Sequence, residues 1–348
     1  MPTRSSSPGS GERGAERLAA DAAGLARAVA LLQAGRLVAF PTETVYGLGG
    51  DARSAAAVRR IFDAKRRPAD NPLIVHVADL DAVAGVAASL PEVAAAAFAR
   101  FAPGPLTLIL ARGPAIPPVT TGGLDHVGVR IPDHAVAQSL LRAFDGPLAA
   151  PSANLSGRPS PTTAAHVHAD LGDRIDAVLD GGPCRVGIES TVARVVDDTF
   201  EVLRLGAVTP AMLAEVARVA VHPAALGMSV PGGAPLPSPG LRHRHYAPRM
   251  PVRLFDGEDR IDDLRAAAAR ARSEGLRVGL IVTDDAGLTG PLVHTVGAAG
   301  DAAAYAARIY DALRAFEDEP VDLLLVEGLL DDGLGAAVMD RLRRAASG

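Results

Sequence analysis

Four clusters of polar residues interrupt apolar segments, and they contain the side chains that could do chemistry. They lie at residues 41–51 (PTETVYGLGGD), 64–77 (AKRRPADNPLIVHV), 128–134 (GVRIPDH) and 150–162 (APSANLSGRPSPT). Arginine binds phosphate and carboxylate groups through paired hydrogen bonds, and glycine lets the backbone approach a ligand closely. The first cluster could equally be a tight connection after a strand, and it does not match the usual phosphate loop, GxxxxGK followed by Ser or Thr. The clusters therefore indicate recognition of phosphate and carboxylate groups without that loop.

The second cluster places three consecutive cations, Lys65, Arg66 and Arg67, between a predicted helix end and the strand that carries His76. Cations near a helix C-terminus stabilise the helix by a few tenths to about 1 kcal/mol, which would be a purely structural explanation. That explanation leaves out Pro68, which fixes the chain direction immediately after the cations. We therefore interpret Arg67 as held at a rigid corner, where its guanidinium can contact a phosphate group bidentately.

Arg130 in the third cluster ends an apolar strand, and two interpretations are open for it. It either extends from the strand edge into solvent or binds a carboxylate group. In the fourth cluster Ser152, Asn154 and Ser156 occupy alternate positions, and Ser160 follows between two prolines. Alternation on an extended segment places hydroxyl and amide groups on one side, where they can bind a ligand, although loops of this kind are often only turns.

Histidine and cysteine give weaker signals. His166 and His168 are two residues apart on a predicted helix, so they do not face one ligand and no metal site is predicted. Cys184 is the single cysteine of the sequence, which excludes an intramolecular disulfide framework and a four-cysteine zinc module. No neighbouring residue suggests that its thiol is activated as a nucleophile. We expect a cytoplasmic protein in a reducing compartment.

The length and composition predict how many domains position these clusters. With 348 residues, of which 48% are hydrophobic and 22% charged, the chain is long enough for two globular domains. We predict a disordered N-terminus at 1–14, a first domain at 15–221, a linker at 222–250 and a second domain at 251–348. The net charge of −5 gives no strong attraction to nucleic acid or anionic membrane, and no apolar run of about 18 residues predicts a membrane span.

Helices and strands alternate in the first domain, which predicts an α/β layer structure with a mixed sheet. The predicted helices are 15–34, 55–64, 91–100, 135–143, 163–171 and a last one that starts at Thr209 and Pro210 and ends near Val219. The predicted strands are 37–40, 73–77, 106–110, 127–130, 147–150 and short segments near Val178, Val192 and Val202.

The second domain is predicted to be a small open parallel sheet, in which ligand crevices at the strand ends are possible. Its strands are 252–255, 277–282 and 321–327, separated by helices 261–273 and 302–316 and followed by a helix at 336–346. The segment 231–251 between the domains is rich in Pro and Gly, so it cannot form a regular helix or a central strand.

Five motifs of the first domain resemble those of one enzyme family. They are PTETVYGL, K-x-R followed by Pro68 and NPL, GVR, PSAN and GIESTV, and they run in order from about Gly35 to Leu205. They resemble the YrdC-like threonylcarbamoyl-AMP synthases, and the later SPGLRHRHYAP and GLGAAVMDRLRRAA are similar to the long two-domain members. The chain departs from the family at His126, where Thr is frequent, and at His243, where Tyr is frequent. The resemblance covers nearly the whole chain.

The resemblance implies a fold and a reaction. The fold is a twisted α/β domain with a mixed sheet, whose concave face binds ATP and L-threonine, joined by the linker to a smaller Rossmann-like domain with a parallel sheet. The reaction is synthesis of L-threonylcarbamoyladenylate from L-threonine, bicarbonate and ATP, with Mg²⁺ accompanying ATP and pyrophosphate released, for threonylcarbamoyladenosine formation in tRNA. The implied protein partner is a tRNA threonylcarbamoyl transferase complex, with no membrane and no stable nucleic-acid partner.

The resemblance also assigns site residues by motif position. The catalytic pair falls on Lys65 and Arg67. The ATP-binding positions are Lys65, Arg67, Asn71, His126, Ser152, Asn154, Ser160, Arg204 and Tyr246. The L-threonine-binding positions are Thr44, His76, Arg130, Ala150 through its backbone, and Ser190. No residue is assigned as a metal ligand or as a general base.

The linker carries an unusual group of side chains between proline corners, namely Arg242, His243, Arg244, His245 and Tyr246. A simple spacer would not require aromatic and cationic groups there. We therefore predict that this segment is a lid over the nucleotide cleft, in which Tyr246 or its basic neighbours contact ATP and exclude water from the adenylate. The alternative is that these side chains only anchor the linker to the surface of either domain.

Two other functions compete with synthesis of the adenylate. A non-enzymatic RNA-binding module would suit a basic concave face, but the acidic net charge and an aromatic content of 3% argue against it. A carbamoyl transferase of the hydrogenase-maturation type carries a similar domain. That class also has zinc-finger cysteines, which one cysteine cannot supply.

Overall fold

Two β-sheets, one of eleven strands and one of four, organise the residues that the computed structural model describes, which are 14–226, 228, 238, 246–317 and 319–347. The larger sheet mixes parallel and antiparallel pairs and the smaller one is parallel, so the predicted fold class is confirmed. The predicted disordered N-terminus lies outside the described residues except for Gly14, and most of the predicted linker lies outside them as well.

The first sheet takes its strands from the first two thirds of the chain. In chain order the elements are β1 (Glu16–Ala19), α1 (Ala22–Gln33), β2 (Val38–Phe40), β3 (Gly47–Asp51), α2 (Ala55–Lys65), β4 (Ile74–His76), α3 (Glu92–Phe101), β5 (Leu106–Ala111), β6 (His126–Arg130), α4 (Ala135–Phe144), β7 (Leu148–Ala149), α5 (Ala164–Leu171), β8 (Ala177–Asp180), β9 (Thr191–Val196), β10 (Thr199–Arg204), α6 (Pro210–Leu213) and β11 (Arg218–Val221). The spatial order of the strands is β1-β8-β2-β3-β7-β4-β6-β5-β9-β10-β11.

The predicted N-terminal helix at 15–34 is wrong over its first residues. Leu18 lies on β1, which pairs in parallel with β8 opposite Leu179. The helix α1 begins only at Ala22, because Asp21 accepts a hydrogen bond from the Gly24 backbone N–H at 2.8 Å and caps the helix. An apolar residue at Leu18 fits the helical spacing by coincidence, since spacing alone does not show where a helix begins.

The glycine-rich end of the first cluster is a strand rather than a turn. Residues Gly47–Asp51 form β3, which lies inside the sheet between β2 and β7. A Cβ atom on Gly49 would lie 2.9 Å from Cε1 of Phe40 on the neighbouring strand. Glycine is required here because the Phe40 ring covers the strand, and not because the chain turns.

The last helix of the first domain is shorter than predicted. Thr209 caps α6 by accepting a hydrogen bond from the Met212 backbone N–H at 3.3 Å, but the helix ends at Leu213 instead of near Val219. The chain then forms β11, which pairs in parallel with β10 and alternates exposed and half-buried residues. This alternation has the period of a strand, so the β-branched Val219 and Val221 belong to a sheet edge.

The second sheet is built as predicted, with one additional strand. Its elements are β12 (Val252–Phe255), α7 (Arg260–Ser273), β13 (Val278–Val282), β14 (Val293–Thr295), α8 (Ala302–Ala315), β15 (Leu323–Glu327) and α9 (Gly333–Ala346). The strands are ordered β12-β15-β13-β14 and every pair is parallel. The strand β14 was not predicted because it has only three residues. Among the described residues, none of the helices has the length and apolar character needed to cross a membrane.

One apolar core joins the two sheets. It contains Ile188 from the first domain together with Ile309 and Leu313 from α8. The backbone of Gly187 has a φ of +80°, and a Cβ atom there would lie 2.3 Å from the carbonyl oxygen of Ala306. The second domain therefore packs with α8 directly against the segment before β9, where a larger side chain has no space.

Candidate functional site

A pocket in the first domain brings the four polar clusters together. Eleven of the predicted site residues line it, namely Thr44, Arg67, His76, Arg130, Ala150, Ser152, Asn154, Ser160, Ser190, Arg204 and Tyr246. Residues that sequence reasoning had not assigned to the site also line it, namely Thr42, Val45, Gly47, Pro72, Ile74, Pro151, Arg158 and Glu189. Lys65, Asn71 and His126 are predicted site residues that do not line this pocket.

Arg67 has the fixed geometry that was expected of a cation at a corner. The helix α2 ends at Lys65, its C-cap residue Arg66 has a left-handed φ of 51°, and the chain then turns at Pro68. The Arg67 guanidinium donates Nε to the carbonyl oxygen of Asn71 at 3.1 Å and Nη2 to that of Pro72 at 3.0 Å. Burial lowers the pKa of Arg67 to about 10, so the side chain remains a cation at neutral pH.

Lys65 lies behind the pocket wall instead of in it. Its Nζ donates to the carbonyl oxygens of Ser152 and Asn154, each at 2.5 Å, and burial lowers its pKa well below the ordinary value. Ser152 in turn donates its hydroxyl to Oδ1 of Asn154 at 2.6 Å, so the two side chains lie on one side of the segment as the alternation predicted. In this geometry Lys65 positions the Ser152–Asn154 segment through its backbone.

Two other predicted ATP-binding residues lie away from the pocket lining. Asn71 is buried, and its carbonyl oxygen accepts the bond from Arg67. His126 is exposed at the start of β6. His126 is also one of the positions where the sequence departs from the family pattern.

The Arg130 side chain is paired inside the protein. It is 4% exposed, and its Nη2 lies 2.7 Å from Oε1 of Glu43, which is also buried. Nε donates to the carbonyl oxygen of Gly104 at 3.4 Å, whereas the buried Nη2 has the ion contact with Glu43 but no hydrogen-bond partner within the described part of the chain. The interpretation that Arg130 extends into solvent does not fit this burial. A guanidinium held on one side by Glu43 can present its other edge to a carboxylate group.

His76 lies beside Arg130, because β4 and β6 are parallel and pair these two residues in register. The imidazole is 2% exposed, and its Nδ1 has no hydrogen-bond partner among the residues that the structure describes. Burial, and secondarily the charge of Arg130, lowers the pKa of His76 to about 3. A neutral imidazole with a buried, unsatisfied nitrogen is suited to hydrogen-bond a polar ligand in the pocket.

Acidification should destabilise the protein in part through His76. Its pKa is about 3 when folded and about 6.5 when unfolded, so the unfolded chain binds more protons between these values. The free energy of unfolding should therefore fall as the pH drops below 6.5, by about 2 kcal/mol at pH 5 from this residue. Denaturant titrations at pH 7 and pH 5 should show a smaller loss in His76→Gln than in the parent protein. His126→Gln, which alters an exposed histidine, is the matched control, and equal losses in all three proteins would contradict the prediction.

Arg204 and Ser190 line the same pocket and are hydrogen-bonded to each other. Arg204 donates Nε to the carbonyl oxygen of Ser190 at 3.0 Å and Nη2 to its hydroxyl at 3.1 Å. The Ser190 hydroxyl is also 2.8 Å from that of Thr107. These bonds fix a second guanidinium in the pocket lining, in addition to that of Arg67.

Glu189 is the main residue that sequence reasoning missed. Its carboxylate accepts hydrogen bonds from Ser160 at 2.5 Å, from Tyr310 at 3.0 Å and from Arg341 at 3.1 Å. Burial alone would raise the pKa of Glu189, but Arg341 and Arg204 together with the Ser160 hydrogen bond hold it below the ordinary value. The available signal was its place in GIESTV, the motif from which only the following serine was assigned.

Tyr246 is the one of the five side chains behind the lid prediction that the structure describes. It is 5% exposed, lines the pocket and stacks on Tyr310 with 5.6 Å between ring centroids. The neighbouring Ala247 donates its backbone N–H to the carbonyl oxygen of Gly157 at 3.0 Å. The other side chains of this prediction, Arg242 to His245, lie outside the described residues.

Nothing in the described residues forms a cluster of three or more His, Cys, Asp or Glu that could hold a metal ion. Cys184 is buried, and burial raises the pKa of its thiol to about 12. The thiolate is the nucleophilic form of cysteine, so this side chain is not activated for attack at neutral pH.

Comparison with known proteins agrees with both halves of the chain. A family profile for Sua5, YciO and YrdC, described as telomere recombination, matches residues 30–206, and one described as the C-terminal domain of threonylcarbamoyl-AMP synthase matches 208–347. The threonylcarbamoyl-AMP synthase of Bacillus subtilis is 44% identical over 328 residues, covering 93% of each chain. That of Pyrococcus abyssi is 42% identical over 327 residues, covering 92% of this chain and 93% of the relative. The crystal structure of P. abyssi Sua5 complexed with L-threonine matches with a TM-score of 0.88 and 39% identity, over 95% of this chain and 97% of that one.

Proposed function

The chain belongs to the threonylcarbamoyl-AMP synthase family, and from that premise we propose that it makes L-threonylcarbamoyladenylate from L-threonine, bicarbonate and ATP. The adenylate then serves threonylcarbamoyladenosine formation in tRNA, through a tRNA threonylcarbamoyl transferase complex. The observation that carries the proposal is one pocket that combines Arg130, suited to an amino-acid carboxylate, with Arg67 and Arg204, suited to phosphate groups.

The reaction proceeds in two steps in this pocket. The amine of threonine attacks the carbon of bicarbonate, forming a C–N bond and expelling water, which gives a carbamate. A carbamate oxygen then attacks the α-phosphorus of ATP, and the bond between that phosphorus and the oxygen bridging to the β-phosphate breaks, which releases pyrophosphate. Such a transfer depends on alignment of the reactants and on neutralisation of phosphate charge, and it requires no covalent nucleophile on the enzyme.

We assign the amino acid to the part of the pocket formed by Thr44, His76, Arg130, Ala150 and Ser190. Arg130 pairs with the carboxylate group of threonine, and the neutral His76 offers its unsatisfied Nδ1 as a hydrogen-bond partner. The buried surroundings exclude water, which strengthens these interactions relative to solution.

We assign the nucleotide to the adjoining part of the same pocket. Arg67 and Arg204 neutralise the phosphate charge, Ser152, Asn154 and Ser160 supply polar groups, and Tyr246 covers the nucleotide. Lys65 acts through the backbone of the Ser152–Asn154 segment, as its two carbonyl contacts support.

Mg²⁺ enters in this proposal as part of the ATP substrate. Glu189 is the single carboxylate side chain in the described pocket lining, and it is already engaged with Ser160, Tyr310 and Arg341. Phosphate oxygens and water would therefore hold the ion, since the described side chains do not form a site for it.

Incubation of the purified protein with ATP, Mg²⁺, bicarbonate and L-threonine tests the proposal directly. Chromatography and mass spectrometry should detect threonylcarbamoyladenylate and pyrophosphate in equal amounts, and omission of threonine or bicarbonate should remove both products. A protein that releases no pyrophosphate, and whose thermal stability responds to tRNA but not to ATP and threonine, would instead be an RNA-binding module.

Competing amino acids should be rejected according to which group they lack. Serine lacks only a methyl group, which an apolar pocket distinguishes by about 1–3 kcal/mol. Valine lacks the hydroxyl group, and its binding would leave buried polar groups unpaired, so discrimination should be stronger. Competition assays that measure kcat/KM should rank threonine first, serine second and valine last. A higher kcat/KM for valine than for serine would mean that the pocket does not recognise the hydroxyl group.

A further inference from the structure

Two side chains of the second domain reach the wall of the nucleotide pocket. Tyr310 on α8 donates its hydroxyl to the carboxylate of Glu189, with 3.1 Å to Oε1 and 3.0 Å to Oε2. Arg341 on α9 donates Nε to Oε2 of the same carboxylate at 3.1 Å. Glu189 Oε1 also accepts the Ser160 hydroxyl at 2.5 Å. A continuous set of hydrogen bonds therefore runs from the second domain to Ser160 in the pocket.

A second contact lies one helical turn further along α8. Arg314 follows Tyr310 by four residues, so both project from one face of the helix. Arg314 donates to both carboxylate oxygens of Asp170, at 3.2 and 2.9 Å, and to the carbonyl oxygen of Pro159. Asp170 also accepts the Leu155 backbone N–H at 3.2 Å. The helix thereby fixes both ends of the segment 155–160, which connects Asn154 to Ser160.

Glu317 lies two residues after the end of α8 and pairs with Arg158 in the middle of that segment. Tyr310 and Arg314 have the i, i+4 spacing of one helical face, and Glu317 follows just beyond the end of the helix. All three contact the pocket side of the first domain, and Gly187 provides the close approach that α8 requires. The interface therefore combines polar contacts to the segment 155–160 with the apolar core that contains Ile188, Ile309 and Leu313.

We propose that α8 and α9 of the second domain position the ATP-binding wall, with Tyr310 and Arg341 acting as positioning residues through Glu189 and Ser160. The buried carboxylate of Glu189 would repel a bound triphosphate and would compete with it for Arg204, unless other groups stabilise the charge of the carboxylate. Tyr310 and Arg341 stabilise that charge through their hydrogen bonds to the carboxylate. The pocket arginines can then bind the phosphates, and the carboxylate fixes the orientation of the Ser160 hydroxyl. The inference rests on the proposed function, because it takes this pocket to be the ATP site.

Steady-state kinetics of Tyr310→Phe test the inference, with Tyr305→Phe as the matched control. Tyr310→Phe removes the hydroxyl and keeps the ring that stacks on Tyr246. Tyr305 lies on the same helix, is equally buried, and donates its hydroxyl to the carbonyl oxygen of Glu327 inside the second domain. Tyr310→Phe should raise the KM for ATP by about five- to tenfold and change the KM for threonine by less than about twofold. Tyr305→Phe should leave both constants within about twofold while lowering the Tm.

The route through Glu189 is tested by adding Ser160→Ala. If Tyr310 acts on ATP by way of Ser160, the double variant should have about the same KM for ATP as Ser160→Ala alone. If the increases in the KM for ATP caused by the two substitutions instead multiplied in the double variant, Tyr310 would not act through Ser160. A parent protein that makes no adenylate refutes the proposed function. A parent protein that makes it, with the same KM for ATP in Tyr310→Phe and Tyr305→Phe, refutes the positioning role alone.

Discussion

Replacing Arg67 by alanine should lower the rate of adenylate formation by about a thousandfold or more, because it removes a fixed cation from the phosphate site. The guanidinium lies in the pocket lining, is oriented by the carbonyl oxygens of Asn71 and Pro72, and remains charged at neutral pH. A cation already oriented in this way stabilises developing charge without reorganisation during the reaction. Release of pyrophosphate, measured at saturating threonine, is the readout.

Two further substitutions, Arg66→Ala and Arg67→Lys, test whether the loss of activity depends on the position of the cation and on the shape of its charged group. Arg66→Ala removes the adjacent exposed cation and should leave the rate nearly unchanged, because Arg66 is not part of the pocket lining. Arg67→Lys keeps the charge but loses the planar fork, so it should recover only part of the activity. Arg67→Ala also loses two hydrogen bonds to backbone carbonyls, worth about 1–3 kcal/mol of stability together, so assays must run well below its Tm. Turnover close to that of the parent protein would exclude a phosphate role for Arg67.

The elements of this fold were predictable from local patterns where one period dominated. Helices such as Ala135–Phe144 and strands such as Leu106–Ala111 were predicted within two residues of their observed bounds. The failures lie where local patterns agree with two structures. Leu18 fits both a helix and a strand, and the glycines of Gly47–Asp51 favour a turn until the ring of Phe40 is placed against them. Spacing alone cannot resolve such segments, because the deciding contact comes from another strand.

The candidate site was predictable from motifs, but the roles of its residues were not. Lys65 and Arg67 are two residues apart and share one motif, yet the left-handed Arg66 between them sends Lys65 inward and Arg67 to the pocket. Glu189 meets Tyr310 and Arg341 across 121 and 152 residues of sequence. No local pattern contains such a contact, since it depends on how the two sheets pack.

Arg130→Ala should weaken threonine binding by about 10- to 150-fold and also destabilise the protein. The first effect follows from loss of the carboxylate partner. The second was not expected from the sequence. The structure pairs Arg130 with buried Glu43 at 2.7 Å, and removing one member of a buried pair costs about 3–5 kcal/mol. Titration calorimetry with threonine measures the binding, and denaturant unfolding measures the stability.

Substitutions of Glu43 distinguish a binding role of Arg130 from a purely structural one. Glu43→Gln leaves the guanidinium in place, so it should reduce stability but keep the threonine affinity within a few-fold of the parent protein. Adding Glu43→Gln to Arg130→Met removes the orphaned charge, so the double variant should regain stability relative to Arg130→Met while its threonine affinity stays low. A purely structural role predicts that Glu43→Gln and Arg130→Met weaken threonine binding equally. It also predicts that the double variant binds threonine no more weakly than either single variant. Retained binding in Glu43→Gln with lost binding in the double variant would place the amino-acid carboxylate on Arg130, because only the guanidinium differs between these two proteins.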